Sequence, residues 1–113
     1  MLHRDGQTYE LVPSQGPNCL HGGTLGFDKK EWQVSALTEN SVTLSLFSED
    51  GDQGFPGDCE VTLSYTLEGN DLLIDIQATV SKDSPVNLTS HAYFNLDGKR
   101  SDVRHHSLQM NAS

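Results

Sequence analysis

The chain has 113 residues, of which 35% are hydrophobic, and a formal net charge of −9. This length fits one domain with a modest core, and the acidity argues against nucleic acid or an anionic membrane as a partner. No apolar run reaches transmembrane length, and MLHRDGQTYE lacks the apolar segment of a signal peptide, so the sequence predicts neither a membrane protein nor a secreted one. Cys19 and Cys59 lack metal-like spacing, which favours two free thiols in the cytoplasm.

Alternating hydrophobic and polar residues dominate the chain, and no segment of ten or more residues has helical periodicity. Residues 2–4 and 7–12 flank an Asp5-Gly6 turn, and residues 31–37 and 41–48 flank a second turn. The clearest pair is 59–67 and 72–80, joined by the turn sequence EGND. These patterns predict an all-β protein built from antiparallel hairpins. Leu108, Met110 and Ala112 also alternate with polar residues, which predicts a last strand and suggests that the sequence is part of a longer one.

NLTSHAYFNL, residues 87–96, is predicted to be a strand with two distinct faces. One face is apolar and interrupted only by Ser90; it carries Val86, Leu88, Ala92, Phe94 and Leu96. Every residue of the other face can hydrogen-bond; these are Asn87, Thr89, His91, Tyr93 and Asn95. We expect the first face to pack in the core and the second to hold something polar.

Two loops are rich in glycine, at residues 17–32 and 51–58. Both are consistent either with tight turns or with close approach of the backbone to a ligand. Neither has the context of a phosphate-binding loop, so nucleotide binding is not predicted.

Histidine supplies the candidate chemistry. His21 precedes two glycines, and His91 lies on the polar face of residues 87–96; each could be a structural residue or an acid–base group. His3, His105 and His106 are expected to be solvated. No HxH or HExxH spacing predicts a metal site, no carboxylate is marked by its context as a general base, and no GxSxG motif indicates a nucleophile.

Four blocks of the sequence, in order, resemble the aldose 1-epimerases, or galactose mutarotases. NCLHGGTLGFDKKEW resembles the family's HGG-x-x-GFDK-x-x-W loop, and DGDQGFPGDCEVTLSYTL resembles its DG-x-x-G-[FY]-PG segment. SPVNLTSHAYFNLDG resembles the signature strand of the family, and SDVRHH extends that match. The resemblance implies a galactose mutarotase-like antiparallel β-sandwich, of which residues 1–113 would be one partial domain from the N-terminal to central part.

The resemblance also implies a reaction, the interconversion of the α and β anomers of free hexoses such as galactose and glucose, without a cofactor. His91 would be the catalytic acid that protonates the ring oxygen, His21 would bind the sugar, and Tyr93 would shape the pocket. The sequence departs from the family's pattern at the site. Ser90 stands where the family has Asn, and the general base, a Glu, is expected beyond residue 113. The residues present are thus expected to be poorly active alone.

Two other functions remain open at this point. One is a non-catalytic carbohydrate-binding β-sandwich on the same scaffold, and the other is an interaction module without a ligand. An acid at position 91 favours the enzyme, because a binding module would be expected to use aromatic platforms, whereas aromatic residues make up only 7% of this chain.

Overall fold

The computed structural model describes residues 1–98 and 102–111 and contains two antiparallel sheets. Strands β1 (Leu2–Arg4) and β2 (Gln7–Tyr9) form a small hairpin around Asp5 and Gly6. The larger sheet has the order β3-β4-β5-β6 and consists of β3 (Gln33–Leu37), β4 (Ser41–Ser48), β5 (Cys59–Glu68) and β6 (Asp71–Val80). Each strand pairs with the next one in sequence, so the larger sheet is a meander.

The prediction of an antiparallel all-β chain is confirmed. The described residues contain two 3₁₀ turns, Phe27–Lys29 and Asp52–Gly54, but no α-helix. Within the described part of the chain, no helix is long and apolar enough to cross a membrane. The hairpin of β5 and β6 extends over ten residue pairs, from Cys59 opposite Val80 to Glu68 opposite Asp71. The strand predicted over residues 7–12 is shorter than expected, ending at Tyr9.

The core lies at the end of the larger sheet from which the loop 51–58 emerges. Cross-strand pairing places Leu46 opposite Val61, and these are the hydrophobic residues buried among those described, with 8% and 2% exposure. Ser48, which pairs with Cys59 at this end of the sheet, is also buried. At the far end of the sheet Leu67 is 58% exposed and Leu37 is 73% exposed. Packing energy is therefore concentrated where the sheet meets the glycine-rich loops.

The strand prediction for residues 87–96 is wrong for this chain, because no described segment forms a ladder with it. Its expected core face is also wrong: Leu88 is half-buried, but Phe94 is 56% exposed and Leu96 is 84% exposed. A strand needs a partner for its backbone groups and a second layer for its apolar face, and the described residues supply neither. Residues 107–111 likewise form no strand, while Ala112 lies outside the described residues.

Ion pairs tie the segment after β6 to the rest of the structure. The Lys82 ammonium pairs with Asp50, directly before the loop 51–58. Arg4 Nη2 in β1 lies 2.5 Å from Asp83 Oδ2. The Ser81 hydroxyl also accepts a hydrogen bond from the Asp58 backbone N–H at 2.8 Å. These contacts fix the direction in which the chain leaves the sheet, toward residues 87–96.

Candidate active site

The three residues predicted to form the site lie together. The ring centroids of His21 and His91 are 5.7 Å apart, with their planes at 82°. The ring of Tyr93 lies 5.1 Å from that of His91, tilted by 53°. All three residues are exposed, and Tyr93 is 90% exposed. The result is an open cluster of polar rings, which small polar molecules can reach from solvent.

His91 and Tyr93 meet because they are two positions apart. In extended backbone, side chains two residues apart point to the same side, as the period-two pattern of residues 87–96 predicted. The prediction that His91 and Tyr93 share one side of the segment is confirmed, although the segment has no strand partner. Ser90, which interrupts the apolar face of this segment, is half-buried.

His21 reaches the cluster from a tightly wound loop. Its backbone has φ = 53°, a left-handed conformation that is uncommon for residues other than glycine. The loop then folds back so closely that a Cβ at Gly26 would lie 2.0 Å from the His21 carbonyl oxygen. Only glycine fits at position 26, because a side chain there would push the histidine's own backbone away. The last glycine of the HGG-x-x-G motif is therefore required sterically by the position of the His21 backbone.

The second glycine-rich loop supports the first. The Gln53 side-chain oxygen accepts hydrogen bonds from the Leu25 backbone N–H at 3.1 Å and from the Thr24 hydroxyl at 3.2 Å. The sequence marked both loops as unusual but could not show that one holds the other. Gln53 was missed because a single glutamine in a loop has no pattern of its own; the density of glycine around it was the available signal.

A half-buried ion pair includes the residue next to Gln53 in sequence, Asp52. Lys30 Nζ pairs with Asp52 Oδ2, which also accepts a hydrogen bond from the Ser48 hydroxyl at 2.5 Å. Partial burial by itself raises the pKa of the Asp52 carboxyl, but the hydrogen bonds from Lys30 and Ser48 and the Lys30 charge outweigh it, and the pKa lies below its usual value. A carboxylate with this pKa is suited to anchor a lysine rather than to accept a proton near neutral pH.

The remaining predicted features fall outside the cluster. His3 is exposed and its Nδ1 lies 2.9 Å from the Thr8 hydroxyl, while His105 and His106 are exposed, as expected. Cys19 and Cys59 are free thiols, and burial raises the pKa of the Cys59 thiol. No group of three or more metal-ligating side chains occurs among the described residues. Ser101 of the SDVRHH block lies outside them.

Comparison with known proteins agrees with the resemblance in sequence. The family model described as aldose 1-epimerase matches residues 2–113. The chain is 53% identical over 107 residues to an aldose 1-epimerase from Escherichia coli strain K12, covering 94% of this chain and 31% of that protein. It is 43% identical over 109 residues to a galactose mutarotase from Homo sapiens, covering 96% of this chain and 32% of that protein. The chain thus spans about a third of the length of these relatives.

Structural comparison gives the same result. A crystal structure of a GalM/aldose epimerase homologue from C. elegans superposes with a TM-score of 0.79 at 39% sequence identity, over 87% of this chain and 30% of that one. The predicted galactose mutarotase-like fold, present here in part, is confirmed by this match.

Proposed function

This chain belongs to the aldose 1-epimerase family, and from that membership we propose that the protein interconverts the α and β anomers of free hexoses such as galactose and glucose. The observation that carries the proposal is the ring cluster of His21, His91 and Tyr93. His21 is far in sequence from His91 and Tyr93, yet its ring lies with theirs on one accessible surface. We further propose that residues 1–113 are one partial domain of a longer β-sandwich.

The chemistry requires one acid and one base. The anomeric hydroxyl loses its proton to the base while the ring oxygen gains a proton, the bond from C1 to the ring oxygen breaks, and the open-chain aldehyde forms. Rotation about the C1–C2 bond followed by the reverse proton transfers closes the ring on the other face. An acid and a base suffice for these proton transfers, so the proposed reaction uses no cofactor.

His91 is the proposed acid. Its imidazolium would donate a proton to the ring oxygen, and histidine is the side chain that most often acts as a general acid or base. His21, whose ring is 5.7 Å away, would donate a hydrogen bond to the sugar and stabilise charge at the same oxygen. Tyr93 would bound the pocket with its ring. The general base is proposed to be a carboxylate outside residues 1–113, as the family resemblance implies.

The expected partner is a small sugar rather than a macromolecule. The net charge of −9 supports the exclusion of nucleic acid and anionic membranes as partners, because both are negatively charged. Two free cysteines support a cytoplasmic location, where thiols stay reduced.

A non-catalytic sugar-binding module is the second candidate, and the exposed ring of Tyr93 favours it, since an exposed aromatic ring can stack on a sugar. Proton NMR of freshly dissolved α-D-galactose with the full-length protein separates the two. The enzyme accelerates appearance of the β anomer, whereas the module binds galactose and leaves the rate at its buffer value. The matched controls are His21→Ala, which should weaken both rate and affinity, and His105→Ala, which should change neither.

A further inference from the structure

The side chain of Gln53 reaches from one glycine-rich loop into the loop that carries His21. Besides accepting the two hydrogen bonds from Thr24 and Leu25, it fills the space beside Gly23. A Cβ at Gly23 would lie 2.5 Å from the Gln53 side-chain oxygen. The glutamine therefore occupies the room that the missing side chain at position 23 leaves, and it fixes residues 23–25 by contact as well as by hydrogen bonding.

Gln53 is itself held at several points. Its backbone carbonyl accepts a hydrogen bond from the Val12 N–H at 2.8 Å, and its φ of 50° is left-handed. It also helps to lower the pKa of the neighbouring Asp52 carboxyl. Asp52 is in turn anchored by Lys30, which lies in the same glycine-rich loop as His21. The glutamine is thus a rigid support rather than a flexible surface residue.

Backbone strain marks the two ends of this contact. Of the described non-glycine residues with positive φ, one, Asp5, sits in a hairpin turn, and the others are His21 and Gln53. Strained residues persist where the surrounding structure forces them, and they concentrate at functional sites. His21 is held at φ = 53° by a loop whose return path, residues 23–25, rests on Gln53.

We propose that Gln53 is a positioning residue for mutarotation, which holds the His21 loop so that the imidazole of His21 faces that of His91. This inference rests on the proposed function. Gln53 does not belong to the ring cluster and acts only through residues 23–25. Its amide oxygen supplies what this position needs, an acceptor toward Thr24 and Leu25.

The test compares Gln53→Met with Gln53→Glu in the full-length protein. Methionine keeps the length of the side chain but cannot accept the hydrogen bonds from Thr24 and Leu25. We expect kcat/KM for α-D-galactose to fall by about 10- to 100-fold, because displacement of a catalytic group by about 1 Å has effects of this size. Gln77→Met is the matched control, since Gln77 is exposed and its amide donates a hydrogen bond to Asp75, away from the His21 loop; its kinetics should be unchanged.

Gln53→Glu distinguishes positioning from bulk stability. A protonated glutamic acid can accept from Leu25 as the amide does, whereas the carboxylate repels the neighbouring Asp52 despite the nearby Lys30. Its rate relative to the parent at the same pH should therefore rise as the pH falls toward the ordinary glutamic acid pKa of about 4.3, while the relative rate of Gln53→Met stays flat. The proposal is overturned if Gln53→Met has kcat and KM within twofold of the parent, or if its loss vanishes once rates are corrected for the folded fraction.

A readout without turnover separates this proposal from the proposed function. In the parent, nuclear Overhauser contacts are expected between the ring protons of His21 and His91, and Gln53→Met should weaken them whether or not the protein is an enzyme. Should Gln53→Met fail to fold, Thr24→Val removes one of the two donors alone and should give the same changes at smaller size. Unchanged inter-ring contacts in the folded variant would refute the role of Gln53, and an inactive parent would refute only the proposed reaction.

Discussion

Asp52→Asn removes the negative charge that pairs with Lys30 and accepts a hydrogen bond from Ser48. The Asp52 side chain is 17% exposed and that of its partner Lys30 is 25% exposed, so water screens the pair less than it would at the surface. Asparagine keeps an oxygen that can accept from Lys30 or from Ser48, but not a charge that strengthens both hydrogen bonds.

The expected loss in free energy of unfolding follows from these contacts. A hydrogen bond to a charged group contributes about 1.5–3 kcal/mol, and partial exposure allows Lys30 to recover some hydration, which gives a loss of about 2 kcal/mol at pH 7. The pH dependence has a definite sign. The folded-state pKa of Asp52 lies below the unfolded value, so its contribution is complete above the unfolded pKa of about 3.9 and is lost as pH falls through the folded value.

Urea denaturation of the parent and of Asp52→Asn between pH 7 and pH 3 measures both effects. The difference between the two proteins should be about 2 kcal/mol at pH 7 and should shrink below about pH 4, where the parent carboxylate takes up a proton. Asp28→Asn is the control, because Asp28 and Lys29 form an exposed pair, with 59% and 51% exposure, and should contribute less than about 1 kcal/mol. Equal stabilities of Asp52→Asn and the parent at pH 7 would refute the reasoning, as would a difference that does not change with pH.

Three further results are expected. Val61→Ala should lower the free energy of unfolding by about 2 kcal/mol, since it deletes methyl groups at 2% exposure, whereas Leu67→Ala on the same strand, at 58% exposure, should have less effect in the same urea titration. Gly26→Ala should displace the His21 carbonyl, which a Cβ would approach to 2.0 Å, and weaken galactose binding measured by calorimetry; unchanged affinity would contradict the close approach. Lys82→Met breaks the exposed pair with Asp50, and it should change the free energy of unfolding by less than about 1 kcal/mol relative to the parent.

The larger sheet could be predicted from sequence because its information is local. Alternation over ten residues and a Gly-Asn turn define the hairpin of β5 and β6, and the structure pairs these strands as expected. Residues 87–96 carry an equally clear alternation but form no strand, because alternation specifies which side chains share a face and not whether a neighbouring strand is present. The wrong part of the prediction is the part that depends on distant residues.

The candidate site shows the same division. The residues alone marked His21 and His91 as separate possibilities, and only the family resemblance joined them; the structure then placed their rings 5.7 Å apart. Gln53 and the Lys30–Asp52 pair could not be found from sequence, because their importance depends on contacts between two loops more than twenty residues apart. A glycine-rich loop predicts that another group lies close to its backbone, but it does not identify that group.

The central claim is that His91 is the acid that protonates the ring oxygen of the sugar. Proton NMR of freshly dissolved α-D-galactose, with the full-length parent and with folded His91→Ala, tests it most directly, alongside calorimetric titration of galactose into both. The account predicts that His91→Ala loses most of the acceleration while galactose binding stays measurable. A folded His91→Ala variant that turns over galactose at the parental rate would contradict it.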